Sequence, residues 1–473
     1  MQYISTRGSA PTLDFEGATL AGLASDGGLY LPARWPRFTR DEIAAMRGLP
    51  YHALAARVME PFVEGSLTPE ELEALCHAVY GDFGHKAVTP LVQMDETHWL
   101  LELFHGPTLA FKDVALQLLG HLFETFLERR NQRLTIVGAT SGDTGSAAIN
   151  AVAGRDRVEI FMLHPKGRVS EVQRRQMTTV RAPNVHNLAI EGSFDDAQRH
   201  VKRMFGDAHV NAPLNLGAVN SINWARLMAQ VVYYFYAALQ LGAPDRAAAY
   251  SVPTGNFGDV FAGYVAHQMG LPIERLIVAT NINDILHRAL KDGDYSAGEV
   301  TPTHTPSMDI QVSSNFERLL FDAGGRDGAG MAAQMETFDK ARAMQLTNSQ
   351  RESASAIFSS ASASPDETIK AMQWASRNAG QVIDPHTAVG LHASLALVED
   401  GTLDSATPIV TLGTAHPAKF TDAVERAIGV RPALPTRVGD LFGREEAFSE
   451  IAGDYEASRD YVLEHAAGRT EPV

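Results

Sequence analysis

The sequence repeatedly places a short β-branched run before a glycine-rich turn, and a run of small residues typical of a helix after it. The runs that we predict as strands are 134–137, 158–163, 185–190, 250–252, 276–279 and 409–412. Strands that alternate with helices favour an α/β fold, with doubly wound, largely parallel sheets covered by helices on both faces. Ligands of such sheets bind beyond the carboxyl ends of the strands, which is where these glycine turns lie.

The sequence also suggests how the chain is divided. Residues 1–90 are predicted to form an extra, mostly helical N-terminal domain, in which Thr68-Pro-Glu-Glu marks the start of a helix. Residues 91–430 are predicted to form two α/β lobes, and residues 431–473 a C-terminal surface segment.

Two segments inside the long central region stand out. Residues 292–365 are interpreted as an insertion, and their Ser/Ala-rich end at 353–365 is expected to be a mobile loop. The apolar run 227–243 is shorter than a bilayer span and contains Gln230 and Gln240, so we predict a buried helix there.

Composition excludes several classes of function. The 473 residues carry 40 Lys and Arg against 56 Asp and Glu, a formal net charge of −16, which disfavours a nucleic-acid partner. Cys76 is the only cysteine, which excludes an internal disulfide and a cysteine-based metal cluster, and no metal is predicted. The N-terminus lacks the apolar core of a secretory signal, so we expect a cytoplasmic protein with no membrane partner. Any anionic small substrate would need a local positive site.

Lys112 is the first candidate for chemistry. It lies among apolar residues in Phe104-His-Gly-Pro-Thr-Leu-Ala-Phe-Lys-Asp. Desolvation lowers the pKa of a lysine and makes it a nucleophile that can form a Schiff base. The alternative is a lysine on an amphipathic helix whose amine reaches solvent.

Two glycine-rich turns each connect a strand to a helix, Thr140-Ser-Gly-Asp-Thr-Gly145 and Gly255-Asn-Phe-Gly-Asp259. Backbone amides at a helix N-terminus bind carboxylates and phosphates. The first turn could instead be an ordinary one in which Ser or Thr caps the helix, and the second matches neither a Walker A loop nor the full dinucleotide fingerprint. Two anion sites and a buried lysine are what a pyridoxal phosphate enzyme needs.

Two further segments carry polar groups at strand or helix ends. In Asn220-Ser-Ile-Asn-Trp-Ala-Arg226, the arginine with Asn and Ser donors could bind a second phosphate, or the segment could simply be a capped helix start. In Thr411-Leu-Gly-Thr-Ala-His-Pro-Ala-Lys-Phe420, a hydroxyl could contact a cofactor ring nitrogen. His416 could equally be a structural histidine.

Taken together and in this order, the motifs resemble the threonine synthase family. The resemblance rests on His105-Gly-Pro-Thr-Leu-Ala-Phe-Lys-Asp, Ser141-Gly-Asp-Thr-Gly, Pro253-Thr-Gly-Asn-Phe-Gly-Asp and Thr414-Ala-His-Pro-Ala-Lys-Phe, with Ser25-Asp-Gly-Gly-Leu-Tyr-Leu-Pro near the N-terminus. It covers nearly the whole chain and is similar to the larger microbial and fungal subgroup.

This resemblance implies a fold-type II pyridoxal 5'-phosphate enzyme related to the tryptophan synthase β subunit. Such an enzyme converts O-phospho-L-homoserine and water to L-threonine and phosphate, the last step of threonine biosynthesis. The protein would be a monomer or a homodimer.

The resemblance also implies a role for individual residues. Lys112 would carry the cofactor and act as the catalytic residue. The other cofactor-binding residues would be Asp143, Gly255, Asn256, Phe257, Gly258, Asp259 and Thr414. The substrate carboxylate would be bound by Ser141 and Thr144, and the substrate phosphate by Asn220, Ser221 and Arg226. Asp143 stands where many enzymes of this fold have an asparagine beside the phenolic oxygen of the cofactor.

Two other interpretations stay open at this point. A serine or threonine dehydratase of the same fold would keep the lysine and the glycine-rich loop without needing the cluster at 220–226. A non-catalytic relative would bind pyridoxal phosphate or a phosphorylated metabolite, but its usual mark is a lost lysine or a disrupted loop, and both are intact here.

Overall fold

The chain folds into two units, and the computed structural model describes residues 1–140 and 142–467. Unit 1 comprises Met1–Ala18, Leu23–His105 and Ser221–Pro432. Unit 2 comprises Thr19–Gly22, Gly106–Asn220 and the residues from Ala433 onward.

The strands are numbered in chain order. They are β1 (Tyr3–Ser5), β2 (Tyr30–Pro32), β3 (Leu91–Gln93), β4 (His98–Glu102), β5 (Leu134–Ala139), β6 (Val158–Pro165), β7 (Val185–Ile190), β8 (Leu216–Gly217), β9 (Ala248–Pro253), β10 (Ile273–Thr280), β11 (Asp294–Ser296), β12 (Ala343–Gln345), β13 (Phe358–Ser362), β14 (Ile409–Gly413) and β15 (Ser449–Ile451).

The α-helices are numbered in the same way. They are α1 (Phe15–Ala21), α2 (Arg40–Ala45), α3 (Tyr51–Val63), α4 (Pro69–Tyr80), α5 (Lys112–Arg129), α6 (Asp143–Val152), α7 (Glu171–Thr178), α8 (Phe194–Gly206), α9 (Ala208–Leu214), α10 (Trp224–Gln240), α11 (Gly258–Gln268), α12 (Ile285–Asp292), α13 (Phe316–Ala323), α14 (Gly328–Ala341), α15 (Asn348–Ser355), α16 (Pro365–Ala379), α17 (Pro385–Glu399), α18 (Thr421–Ile428) and α19 (Tyr455–His465). Short 3₁₀ turns lie at Pro306–Met308, Pro417–Lys419, Thr436–Val438 and Leu441–Gly443.

Unit 1 contains a sheet whose strands, within the described residues, follow the order β13-β10-β9-β14-β4-β3. Neighbouring strands are parallel except that β3 is antiparallel to β4. The register pairs Val252 of β9 with Val278 of β10, and Ser251 of β9 with Thr411 of β14. Strands β9 and β14 are buried along their whole length, since α17 packs its apolar residues against the sheet. The carboxyl ends of these strands therefore meet at one edge.

Unit 2 contains a parallel sheet with the order β15-β7-β6-β5-β8 in the described part of the chain. Every residue of its central strand β6 is buried. The apolar side chains of β5, β6 and β7 pack with those of α8, α9 and α19 in one cluster. The turn that follows β5 leads directly into α6, so it lies at the carboxyl edge of this sheet.

Much of this architecture confirms the sequence-based expectations. The predicted strand runs lie in β5, β6, β7, β9, β10 and β14, and the fold is α/β with largely parallel sheets. Helix α4 begins after Thr68, whose side chain forms a capping box with Glu71. The predicted buried helix is α10. Among the described residues, no helix is both long enough and apolar enough to cross a membrane.

Two expectations are wrong. The segment 353–365 is not a loop, because it contains the end of α15 and the strand β13, which pairs with β10. Its Ser/Ala-rich composition is not typical of a strand. The segment is a strand because it pairs with β10 at the edge of the sheet. The segment 431–473 is more than a surface segment, because β15 extends the sheet of unit 2 and Val462 of α19 is fully buried.

The burial of Val462 predicts that the C-terminal helix stabilises unit 2. Val462→Ala removes two buried carbon atoms, so we expect the free energy of unfolding to fall by about 2 kcal/mol. Glu464→Ala on the exposed side of α19 is the matched control and should leave it unchanged. Denaturant titration measures both. Equal stabilities for the two variants would contradict the packing of α19 in this core.

Candidate active site

Lys112 is the first residue of α5 in unit 2, and a buried carboxylate fixes the turn before it. Asp113 is fully buried and accepts hydrogen bonds from the amide of Thr108 at 2.8 Å and from its hydroxyl at 2.6 Å. A Cβ on Gly106 would lie 2.3 Å from the Asp113 side chain, so only glycine allows this close approach. The hydrogen bonds of this turn therefore fix the position of Lys112 at the start of α5.

The Lys112 side chain is only 11% exposed. Its Nζ lies 3.7 Å from Oδ2 of Asp143 and 5.6 Å from the centroid of the Phe111 ring. The other carboxylate oxygen of Asp143, Oδ1, accepts a hydrogen bond from Nε2 of Gln173 at 2.9 Å. This burial disfavours the alternative of a solvent-reaching lysine and places the amine beside an oriented carboxylate.

The turn between β5 and α6 is partly a helix cap. The Thr140 hydroxyl oxygen accepts hydrogen bonds from the amides of Gly142 and Gly145, both at 2.9 Å. These two amides are therefore engaged within the turn and do not face a ligand. Thr144 is half-buried on the first turn of α6, and Ser141 lies outside the described residues. The roles of Ser141 and Thr144 in binding a carboxylate stay predictions.

In unit 1, side chains and an amide from residues 313–315 form hydrogen bonds with the carbonyls of the loop after β9, and the amides of this loop point away from those groups. The carbonyl of Gly255 accepts a hydrogen bond from the Ser313 hydroxyl at 2.7 Å, and that of Asn256 accepts from the amide and Nδ2 of Asn315 at 3.1 and 3.0 Å. In a trans peptide the next amide points opposite to the carbonyl. Within the described residues, the backbone amides of 255–259 donate no hydrogen bond. The loop therefore presents a row of donors.

The conformation of this loop suits an anion. Phe257 adopts the left-handed region with φ of 61°, and α11 begins at the next residue, Gly258. A Cβ on Gly255 would lie 2.7 Å from the carbonyl oxygen of Ser307, so this position has no room for a side chain. Successive outward amides at a helix N-terminus are the usual protein cradle for a phosphate.

The Asp259 side chain points away from that cradle. Its Oδ1 accepts a hydrogen bond from the Tyr233 hydroxyl, and its backbone carbonyl accepts one from Tyr234 at 2.9 Å. Burial raises the pKa of Asp259 to about 7. The backbone amide of Asp259, rather than its carboxylate, is the group that could contact an anion.

Arg226 is a buried cation without a compensating carboxylate among the described residues. It lies on the first turn of α10, where Asn223 caps the helix by accepting a hydrogen bond from the amide of Ala225 at 3.0 Å. Arg226 is 5% exposed, and its Nη1 has no hydrogen-bond partner in the described part of the structure. Burial lowers the pKa of its guanidinium to about 10. Asn220 and Ser221, half-buried, precede this helix start.

Thr414 follows β14, and a fully buried carboxylate supports it. The Thr414 amide donates to the hydroxyl oxygen of Thr387 at 3.2 Å, and that hydroxyl in turn donates to Oδ2 of Asp384. Asp384 is fully buried and also accepts from the amides of His386 and Thr387 at 2.9 and 3.2 Å. Thr414 is thus fixed at the carboxyl end of its strand.

Two histidines nearby have structural roles. Nδ1 of His386 lies 2.9 Å from Oδ1 of Asp384, and its Nε2 accepts from the amide of Ser307 at 3.4 Å, so the ring proton is on Nδ1. Nδ1 of His416 accepts from the amide of Ala418 at 3.1 Å. The structural interpretation of His416 is therefore supported.

Sequence reasoning missed the residues that support these loops. They are Ser313, Asn315 and Arg318, which lie within the segment interpreted as an insertion, together with Asp384 and Thr387. Asp384 is followed by Pro385, a typical helix start that signals a cap and gives no indication of a site. Nothing in the spacing of the other residues marks them as partners of the loop at 255–259.

The chain is similar to known proteins over its whole length. Residues 83–415 match a family profile described as "Pyridoxal-phosphate dependent enzyme", residues 2–80 one described as "Threonine synthase N terminus", and residues 387–462 one described as "Threonine synthase, C-terminal". The chain is 53% identical to a threonine synthase of Pseudomonas aeruginosa, and the similarity covers 100% of both proteins.

The chain belongs to the threonine synthase family.

Solved structures of the family have the same fold. A crystal structure of threonine synthase from Brucella melitensis with bound pyridoxal phosphate superposes with a TM-score of 0.96 at 51% identity, covering 99% of this chain and 100% of that one. Threonine synthase from yeast superposes with a TM-score of 0.94 at 40% identity, covering 98% and 99%. The fold-type II expectation and the resemblance to threonine synthases are confirmed.

The cofactor of this threonine synthase family member is pyridoxal 5'-phosphate, and the protein is a pyridoxal phosphate dependent lyase. The residues present fit the group. In unit 1, the loop at 255–259 offers amides to a phosphate, and Thr414 offers a hydroxyl on a residue whose backbone amide is held by Thr387. In unit 2, Lys112 offers a buried amine.

The absence of space beside Gly255 predicts that an added methyl group weakens cofactor binding. Gly255→Ala would push against the Ser307 carbonyl, and displacing a packed loop costs about 1–3 kcal/mol, roughly a tenfold loss in affinity or more. Gly206→Ala is the control, because a Cβ there meets nothing within 4 Å. Titration of the apoenzyme with pyridoxal phosphate measures both dissociation constants. An unchanged constant for Gly255→Ala would contradict the cradle.

Proposed function

We propose that the protein converts O-phospho-L-homoserine and water to L-threonine and inorganic phosphate, the last step of threonine biosynthesis. The reaction is a γ-elimination of phosphate followed by addition of water at the β-carbon.

The observation that carries this proposal is the uncompensated charge of Arg226. A buried guanidinium without a carboxylate partner is costly, and a dianionic phosphate would satisfy it by charge-assisted hydrogen bonds. A dehydratase acting on serine or threonine has no second phosphate to bind and no need for such a cation. The N-terminus of α10 adds positive potential in the same place.

Asn220 and Ser221 support the same assignment. They directly precede the helix that carries Arg226 and supply neutral donors for phosphate oxygens. A local positive site of this kind also meets the requirement set by the net charge of −16, which repels an anionic substrate. Arg226 would hold the phosphate during binding and stabilise its charge as it departs.

Lys112 is proposed as the cofactor-bearing lysine and as the proton carrier. Bound pyridoxal phosphate supplies an electron sink for the negative charge that develops at the substrate α-carbon. Nζ of Lys112, once released from the cofactor, would remove the α-proton and move protons at the neighbouring β-carbon. The carboxylate of Asp143, 3.7 Å from Nζ, would help to orient the amine.

The remaining contacts are proposed from the resemblance to the family, and the hydrogen bonds of the loop at 255–259 support the first of them. The amides of Gly255, Asn256, Phe257, Gly258 and Asp259 would bind the cofactor phosphate. Those of Asn256 and Phe257 point away from the groups that hold the preceding carbonyls, and those of Gly258 and Asp259 lie at the start of α11. The Thr414 hydroxyl would face the ring nitrogen, Asp143 the phenolic oxygen, and Ser141 with Thr144 the substrate carboxylate.

We also infer a cytoplasmic protein that acts as a monomer or a homodimer. Cys76, the single cysteine, is a buried free thiol whose pKa burial raises to about 12, which is compatible with a reducing compartment.

The proposed reaction is tested by its products. Purified protein with pyridoxal phosphate and O-phospho-L-homoserine should release threonine and inorganic phosphate in equal amounts. Formation of a 2-oxo acid and ammonia from serine or threonine, with no phosphate from O-phospho-L-homoserine, would instead show a dehydratase.

Removal of Lys112 should abolish turnover and leave the fold intact. Lys112→Ala loses the group that moves every proton, so threonine formation should fall by at least three orders of magnitude. Borohydride reduction should attach the cofactor to the wild-type peptide that contains Lys112 and fail to attach it in the variant. Lys202→Ala, an exposed lysine of α8, is the control and should behave like the wild type. Residual activity above one tenth in Lys112→Ala would contradict the assignment.

Replacement of Arg226 should separate stability from function. Arg226→Met removes an uncompensated buried charge, so the phosphate-free protein should melt at a higher temperature, while kcat/KM falls about a hundredfold or more. Inorganic phosphate should raise the melting temperature of the wild type and not that of the variant. Arg199→Met, at a largely exposed arginine, serves as the control. Normal kinetics in Arg226→Met would overturn the assignment of the substrate-phosphate site.

A further inference from the structure

Asn315 stands at the start of α13 but does not cap it. An asparagine at this position usually accepts a hydrogen bond from a backbone amide of the first helical turn. The Asn315 side chain makes no such bond. Asn315 is buried and its side chain forms hydrogen bonds elsewhere, so the loss of the capping bond indicates a role in tertiary structure.

The amide group of Asn315 connects two segments instead. Its Nδ2 donates to the carbonyl of Asn256 at 3.0 Å and to the carbonyl of Ser221 at 3.0 Å. Its backbone amide donates to Asn256 as well, at 3.1 Å. Gly258 makes room for this arrangement, since a Cβ there would lie 3.2 Å from Nδ2 and 3.7 Å from the Ser221 carbonyl.

Arg318 fixes the orientation of the Asn315 side chain. Its Nη1 donates to Oδ1 of Asn315, which settles that Nδ2 faces the two loops. Arg318 is fully buried, and its Nη2 donates to the carbonyls of Ile222 at 2.6 Å and of Tyr30 at 2.7 Å. The guanidinium therefore holds the carbonyl of Ile222 in this turn, while Asn315 holds the carbonyl of Ser221.

We propose that Asn315 is a positioning residue that couples the cofactor-phosphate loop at 255–258 to the substrate-phosphate turn at 221–226. The proposal rests on the proposed function for the identity of the two ligands. One amide group fixes a carbonyl in each segment, so an anion that orders one segment pre-orders the other. Such coupling is reciprocal: a variant that releases the amide should weaken the binding of both anions.

Ser313 provides a matched comparison. Its hydroxyl donates to the carbonyl of Gly255 at 2.7 Å and has no hydrogen bond to the turn at 221–222 within the described residues. Removing it should loosen the cofactor loop alone. Asn184 in unit 2 gives an unrelated control, because its Nδ2 donates to the carbonyls of Val152 and Val158 at 2.7 and 2.8 Å, far from any assigned residue in sequence.

The experiment uses the full-length protein and two direct binding measurements. Pyridoxal phosphate is titrated into the apoenzyme in phosphate-free buffer, and inorganic phosphate is titrated calorimetrically into the cofactor-saturated protein. We expect Asn315→Ala to weaken both by about tenfold, because the carbonyl of Ser221 loses its side-chain donor and that of Asn256 keeps only the backbone amide of residue 315. Ser313→Ala should weaken cofactor binding about fivefold and leave phosphate binding within twofold. Asn184→Ala should leave both within twofold.

Asn315→Asp distinguishes positioning from a purely structural role. The aspartate keeps the size of the side chain and the contact with Arg318 but removes the Nδ2 donor. If the donor positions the two segments, both affinities should fall as in Asn315→Ala while the melting temperature stays within a few degrees. If Asn315 only anchors Arg318, the aspartate variant should restore both affinities, and that result would overturn the proposal. So would a loss of cofactor affinity alone in Asn315→Ala.

Neither titration depends on turnover. A wild-type protein that binds both anions but makes no threonine would overturn the proposed function and leave the coupling to be decided by the variants. A cofactor-saturated wild type that does not bind inorganic phosphate would overturn the coupling itself.

Discussion

Parallel pairing of β9, β10 and β14 is the constraint on which the arrangement of unit 1 depends. Because these strands run in one direction, their carboxyl ends meet at one edge, and the chain must leave that edge through turns. The loop at 255–259 follows β9 and Thr414 follows β14, so the sheet determines the position of both. The same rule places the turn at 140–145 beyond β5 in unit 2. Loops held on buried strands of this kind can keep a left-handed non-glycine residue such as Phe257, which an isolated segment would not keep.

A second constraint is that most polar groups of these segments have hydrogen-bond partners. The carbonyls of Gly255 and Asn256 and of the turn at 221–222 all have donors, supplied by Ser313, Asn315 and Arg318. Satisfying the carbonyls leaves the amides for a ligand, so the same hydrogen bonds that stabilise the loop also prepare its binding face. Arg226 differs from these carbonyls, because its charge is buried with no carboxylate partner among the described residues. Stability given up at such a position is a common cost of a binding site.

Local signals were sufficient where the residue type alone limits the backbone. The β-branched runs identified the central strands, Thr68 identified the start of α4, and the glycines at 255 and 258 identified a turn that approaches other atoms closely. They failed where a partner decides the structure. Strand β13 is a Ser- and Ala-containing segment that becomes a strand through β10, and β15 is three residues long and exists only beside β7. The segment at 292–365, interpreted as an insertion, supplies the side chains that hold the site's loops.

The sequence by itself determined the α/β class, six of the strands, the acidic charge and the residues able to carry an imine, an anion cradle and a cation. Those properties depend on residue type and on neighbours within a few positions of the chain. Only the tertiary structure decided which donors hold the loop carbonyls and that Asp384 supports Thr414 through Thr387. It also decided that Arg226 is buried with no carboxylate partner in the part of the chain that the structure describes. Each of these depends on groups tens to hundreds of residues apart in sequence. Their pairing is set by strand order and packing, which local patterns do not encode.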